Sequence, residues 1–193
     1  MIQPRHPIAG LNHFPKRMDI KQSQIDSLID DVAYLEHEAE ALKYVIDSVP
    51  YDETPPGGRS ISEILLFLDH AQQSYYRKVI EDAYKSVRPI NLNAYIDPEE
   101  TFETDEELSK DIQKLLYKLS KHRVALLNLI KNIQLIDWER EISKGRSTIT
   151  LYEFISQMVR KERNTLKEIA ELVLTYQNSR QVQRELESRN PES

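Results

Sequence analysis

Pro55-Pro56-Gly57-Gly58-Arg59-Ser60-Ile61-Ser62-Glu63-Ile64-Leu65-Leu66-Phe67-Leu68-Asp69-His70 runs from a Pro/Gly turn straight into an apolar helix. Two of the chain's four glycines fall in this turn, so backbone punctuation is concentrated where the chain must reverse. Ser60 and Glu63 have the spacing of a capping box, in which hydroxyl and carboxylate each accept from an otherwise orphaned backbone N–H. Ile61, Leu65, Leu68, Tyr75 and Val79 then continue one apolar stripe. The stretch predicts a helix that starts at Ser60 and buries one face.

The same periodicity extends to both sides. Upstream, Ile25, Leu28, Val32, Leu35, Ala39, Leu42, Ile46 and Val49 step by threes and fours along one face, and Pro50 stops that helix. Downstream, the pattern fails from about Ser86 to Thr104 through Pro89, Asn91, Asn93 and Pro98, which predicts a long crossover loop able to cover a bundle end or shape a pocket. Thr104 and Glu107 offer a second capping box, ahead of a seam of Leu108, Ile112, Leu115, Leu119, His122, Leu126, Leu129 and Ile133. A connection from Gln134 to Ser147 carries Gly145 and the sole tryptophan, Trp138, which is expected to plug a bundle end. Thr150 and Glu153 cap a fourth helix with Leu151, Ile155, Met158, Glu162, Thr165, Ile169, Leu172 and Tyr176 as its seam. Spacing thus predicts an all-α four-helix bundle with a long loop between helices 2 and 3. An up-down-down-up path is compatible with it, and other topologies stay open. The domain reading is an N-terminal extension over 1–19, the bundle over 20–177, and a polar tail or frayed helical extension over 178–193.

Composition narrows the function classes. A chain of 193 residues suits one domain with a sizeable core. The apolar runs are too short to span a bilayer. Met1 to Lys16 lacks a continuous apolar run, so a cytoplasmic location is expected. Absence of cysteine removes disulfides, thiolate nucleophiles and cysteine metal sites together. A net charge of −6 argues against nucleic acid as the main partner, since phosphate binding needs a cationic stripe. His37 alternates with Glu36 and Glu38, positions that do not converge on a helix. Gly57-Gly58-Arg59-Ser60 lacks the strand and the Gly-Lys-Ser/Thr ending of a phosphate loop, so capping explains it.

The opening stretch, together with Asp137-Trp138, Gly145 and Thr150-Leu151-Tyr152-Glu153, resembles the DinB-like (DinB/YfiT-type) four-helix-bundle family in order and spacing from about Ile25 to Tyr176. The resemblance implies the up-down-down-up arrangement and side-by-side homodimers. It also implies a metal triad of one histidine on the second helix and two on the fourth, four residues apart on one face. The matching positions here are Phe67, Lys161 and Thr165. A phenyl ring does not coordinate, a protonated lysine repels a cation, and a lone threonine hydroxyl is a poor ligand.

No cofactor is therefore expected; the alternative is a divalent metal such as nickel or zinc at a displaced polar site drawing on His70, His122 and Glu162. His122 and Glu162 fall on seams, where a core histidine and a carboxylate paired to a cross-helix base are the plainer reading. Two functions follow. One is a bundle without the family's metal chemistry, non-enzymatic, that binds a small molecule in its cavity or a protein. The other is a metal-dependent thiol S-transferase-like or other family enzyme working through the displaced site.

Overall fold

The computed structural model describes the backbone of residues 20–189 and the side chains of all of these except 106, 108 and 186–189. The predicted extension over 1–19 lies outside the described residues. Ser60 and Glu63 form the capping box: Ser60 Oγ accepts from the Glu63 N–H at 3.2 Å, and the Glu63 carboxylate accepts from the Ser60 N–H at 2.8 Å. Helix α2 (Ile61–Ala71) starts there. Ser60→Ala is expected to lower stability by about 1 kcal/mol, read as a lower urea midpoint at constant slope; an unchanged midpoint would contradict it.

Four long helical units build the bundle. They are α1 (Gln22–Val45); α2, continued through a π-helical segment (Gln72–Tyr76) into α3 (Arg77–Lys85); α6 (Ile112–Lys131); and α7 (Leu151–Arg189). Contacts between their ends define the path. The α1 partner of Arg163 is Asp31, at 2.6 Å, and Gln177 reaches Ser48, so α1 and α7 run parallel. Tyr51 Oη donates to the Lys110 carbonyl at 3.2 Å, and Arg140, just past α6, donates to the Ser86 carbonyl just past α3. The second and third helical units therefore also run alongside each other, opposite to the first pair, which is the up-down-down-up path. Ile25, Leu28, Val32 and Leu35 pack with Leu126, Ile130, Ile155 and Met158, while Leu65, Leu115, Leu116 and Ile169 fill the other end. Among the described residues no helix is long and apolar enough to cross a membrane.

The structure departs from the sequence expectations in three places. The crossover is not a plain loop: it holds strand β1 (Ile90–Asn91), a 3-10 turn (Leu92–Ala94) and the short helix α4 (Pro98–Thr101), followed by α5 (Glu106–Lys110). The long third helix starts at Ile112 rather than after Thr104, because Asp111 accepts from the Lys114 N–H at 3.0 Å and serves as its cap. The connection before α7 folds into a hairpin of β2 (Glu141–Lys144) and β3 (Ser147–Thr150). Its two-residue turn places Gly145 at φ +61°, the left-handed conformation that glycine adopts without a Cβ clash. β1 pairs parallel to β2, Ile90 opposite Ile142, so a small three-stranded sheet sits on the otherwise helical fold.

Trp138 is fully buried beside this sheet, with its Nε1–H donating to the Ile133 carbonyl at 3.3 Å. Thr150 and Glu153 make the second predicted box, Thr150 N–H to Glu153 Oε2 at 2.7 Å and Glu153 N–H to Thr150 Oγ1 at 3.1 Å. From there α7 continues unbroken through Arg189.

Candidate functional site

The second helical unit widens by one residue at Gln72–Tyr76, where the Arg77 N–H donates to the Gln72 carbonyl five residues back. A π turn of this kind costs regular hydrogen-bond geometry and is frequent at functional sites. It also shifts the apolar stripe: Tyr76, not Tyr75, enters the core, and the intervening seam position holds Gln72, fully buried with neither amide atom hydrogen-bonded among the described residues. Gln73 Nε2 and Ser74 Oγ are likewise buried without partners. Three consecutive residues with unmet polar atoms are uncommon in a folded interior.

Immediately after them, Tyr75 and Tyr76 form a wall with Phe154 of α7; ring centroids lie 5.3 Å apart for Tyr75–Tyr76, 6.1 Å for Tyr75–Phe154 and 5.9 Å for Tyr76–Phe154. This wall bounds a cavity of about 210 Å³. The crossover supplies Leu92, Asp97 and Pro98 on one side, β2 supplies Lys144, and α7 supplies Gln157, Met158 and Lys161. Burial, reinforced by the charge of Asp97, raises the Tyr75 phenol above its ordinary value. Burial also raises Tyr76, with Glu162 as the next cause. Both therefore stay protonated donors, and neither hydroxyl has a hydrogen-bond partner among the described residues.

Of the positions matched to a metal triad, Lys161 lines this cavity. Phe67 is buried, with Lys161 Nζ 5.9 Å and the Arg59 guanidinium 4.8 Å from its ring centroid, and Phe102 packs edge-on at 5.4 Å. Arg59 is held in turn by Glu99 at 2.6 Å. Thr165 turns its hydroxyl back to the Lys161 carbonyl at 3.1 Å. An aromatic pair under two cations offers no nitrogen or carboxylate ligand, so these side chains do not fit a divalent metal.

His70, His122 and Glu162 are not brought together. His70 Nε2 meets Thr101 Oγ1 at 3.0 Å beside Phe102. His122 Nδ1 lies 2.6 Å from Asp69 Oδ1, and Lys118 approaches the other oxygen of Asp69 at 3.4 Å. Glu162 is buried against Arg123, whose Nη1 and Nη2 both lie 2.9 Å from Glu162 Oε2. Burial pushes the Glu162 carboxyl up, and the Arg123 guanidinium opposes that in part. Among the described residues no three His, Asp or Glu side chains converge as a metal site.

YfiT from Bacillus subtilis, described as a probable metal-dependent hydrolase with an unusual four-helix bundle topology, superposes with a TM-score of 0.66 at 16% identity, covering 82% of this chain and 91% of that one. The fold is that of the DinB-like bundles. No family model and no curated protein matches the chain. Within this fold, the cavity residues that sequence reasoning missed include Asp97, Lys144, Phe154 and Gln157. Of the two tyrosines, the apolar stripe of the sequence includes only Tyr75. A larger groove of about 490 Å³ runs between α1 and α7. It is more open, its Arg163 is committed to Asp31 at 2.6 Å, and Tyr152 is its one aromatic lining residue, so the smaller cavity with three aromatic rings is the stronger site.

Proposed function

We propose that this chain binds a small molecule in the cavity beneath the crossover and does so without a bound metal. The observation that carries the reading is the cavity's lining: protonated phenols, an amide and two ammonium groups without an ion-pair partner among the described residues, set against aromatic and aliphatic walls. Such a combination is how ligand pockets fix an apolar body by a few directed polar contacts. Support also comes from Phe67, Lys161 and Thr165, which put an aromatic ring and a positive charge where the family resemblance places imidazoles.

Two measurements test it. Purified protein is expected to hold no stoichiometric nickel, zinc or iron and to take up none on titration. A fragment library screened by NMR is expected to give hits that move the resonances of Gln157, Lys161 and Lys144 together. A near-stoichiometric metal, or a screen without hits at these residues, would overturn the proposal.

One observation favours an enzyme working through a displaced site: the Asp69–His122 pair at 2.6 Å, which orients an imidazole on the α2–α6 face. Metal retention abolished by His122→Ala would establish that reading.

A further inference from the structure

We infer that the cavity takes a small carboxylate joined to an apolar, preferably aromatic, body; the inference rests on the binding proposal above and names its ligand class. Charge balance is the first ground. Lys144 and Lys161 line the cavity, and neither ammonium is ion-paired among the described residues. The one carboxylate in the wall, Asp97, is partly engaged: its Oδ1 already accepts from the Glu99 N–H at 3.0 Å as the cap of α4.

Hydrogen-bond direction is the second ground. The phenols of Tyr75 and Tyr76 are held protonated, so both offer O–H groups, and Gln157 adds an amide. Five of the six polar side chains in the lining can donate, and hydrogen bonds with one charged partner are worth about twice neutral ones. A carboxylate uses both of its oxygens against such a set; an amine would meet two ammonium groups and one partly occupied carboxylate.

Size and surface are the third ground. About 210 Å³ lies below the roughly 300–1,000 Å³ typical of pockets for drug-sized ligands, which excludes a nucleotide or a peptide and suits one ring with a short acidic arm. The Phe154 ring, Met158 and Leu92 supply an apolar surface that inorganic anions would leave unmatched.

The test titrates the full chain with benzoate, benzylamine and inorganic phosphate, followed by NMR at Gln157, Lys144 and Lys161. Benzoate is expected to saturate with coincident shifts at all three residues, and benzylamine and phosphate to leave them unmoved. Lys161→Met is expected to weaken benzoate about tenfold to a hundredfold, and Lys161→Arg to keep most of the affinity. Lys161 is exposed, so its replacement leaves the core intact; Lys144→Met is the second variant and is expected to weaken benzoate in the same sense. Preference for benzylamine, phosphate binding as tight as benzoate, or benzoate affinity unchanged from the unsubstituted chain in both lysine-to-methionine variants would each overturn the assignment. Silence toward all three probes would overturn the carboxylate assignment alone, because the broader fragment screen judges the cavity itself.

Discussion

Arg123→Met is expected to lower the unfolding free energy by about 3–5 kcal/mol at neutral pH, because it leaves the Glu162 carboxylate buried without its cation. The pair is almost wholly removed from solvent, with side chains 4% and 3% exposed, and it bridges α6 and α7 in the polar heart of the bundle. Removing both partners has a different outcome. Arg123→Met/Glu162→Leu is expected to recover most of the loss, since an apolar pair of similar volume replaces two desolvated charges.

Proton linkage gives the same prediction a second readout. Burial holds the folded-state value of Glu162 above its ordinary 4.5, with Arg123 partly opposing. A carboxyl raised in the folded state contributes stability in full below the unfolded value and loses it as pH rises through the folded value. In Arg123→Met the opposing charge is gone, so Glu162 rises further and its protonation relieves the buried charge. The cost of the substitution should therefore shrink as urea unfolding is moved from pH 7 toward pH 5. In Glu162→Gln, the decline with rising pH that this residue causes should vanish. A cost for Arg123→Met that does not change with pH would show that the carboxylate was never stranded.

Trp138→Ala is expected to cost about 3–5 kcal/mol, the range for deleting a large buried aromatic whose surroundings collapse only partly. The ring, on the 3-10 turn Leu135–Glu139, is fully buried, with Tyr152 of α7 edge-on at 6.3 Å. Trp138→Phe should recover most of the packing while removing the donor to the Ile133 carbonyl, leaving a residual cost near 1 kcal/mol. Thermal unfolding of the two variants checks the order. Equal melting temperatures would mean that the indole is not packed as described.

Local rules made much of the bundle legible. The Ser60–Glu63 and Thr150–Glu153 boxes are short-range chemistry, and both caps form as their spacing requires. The seams are equally local, and Ile25, Leu28, Val32, Leu35 and Ala39 are all buried. Competition between nearby signals defeated the third helix: Thr104 and Asp111 both suit a cap, and the Asp111 bond to the Lys114 N–H marks where the long helix begins. The hairpin was hidden because its strands are four residues each, too short for period-two alternation to stand out from a polar connection. The site was least legible. Asp97, Lys144 and Gln157 come from three separate elements, and their neighbourhood depends on the β1–β2 pairing and the π turn, neither of which is a local property. Glu162 could be read as a carboxylate needing a cross-helix base, yet only tertiary structure selects Arg123 among the available cations.

The parallel pairing of Ile90 with Ile142 sets an order of events in folding. Closing a loop of that length precedes any reward from the pairing, whereas the caps and helical turns form from neighbours in sequence. The roof of the cavity therefore docks only after the third helix has turned back and the hairpin exists. The cavity is thus a late readout of complete assembly, and cleavage within the Gly145–Arg146 turn would abolish it more readily than it would unfold the helices that surround it.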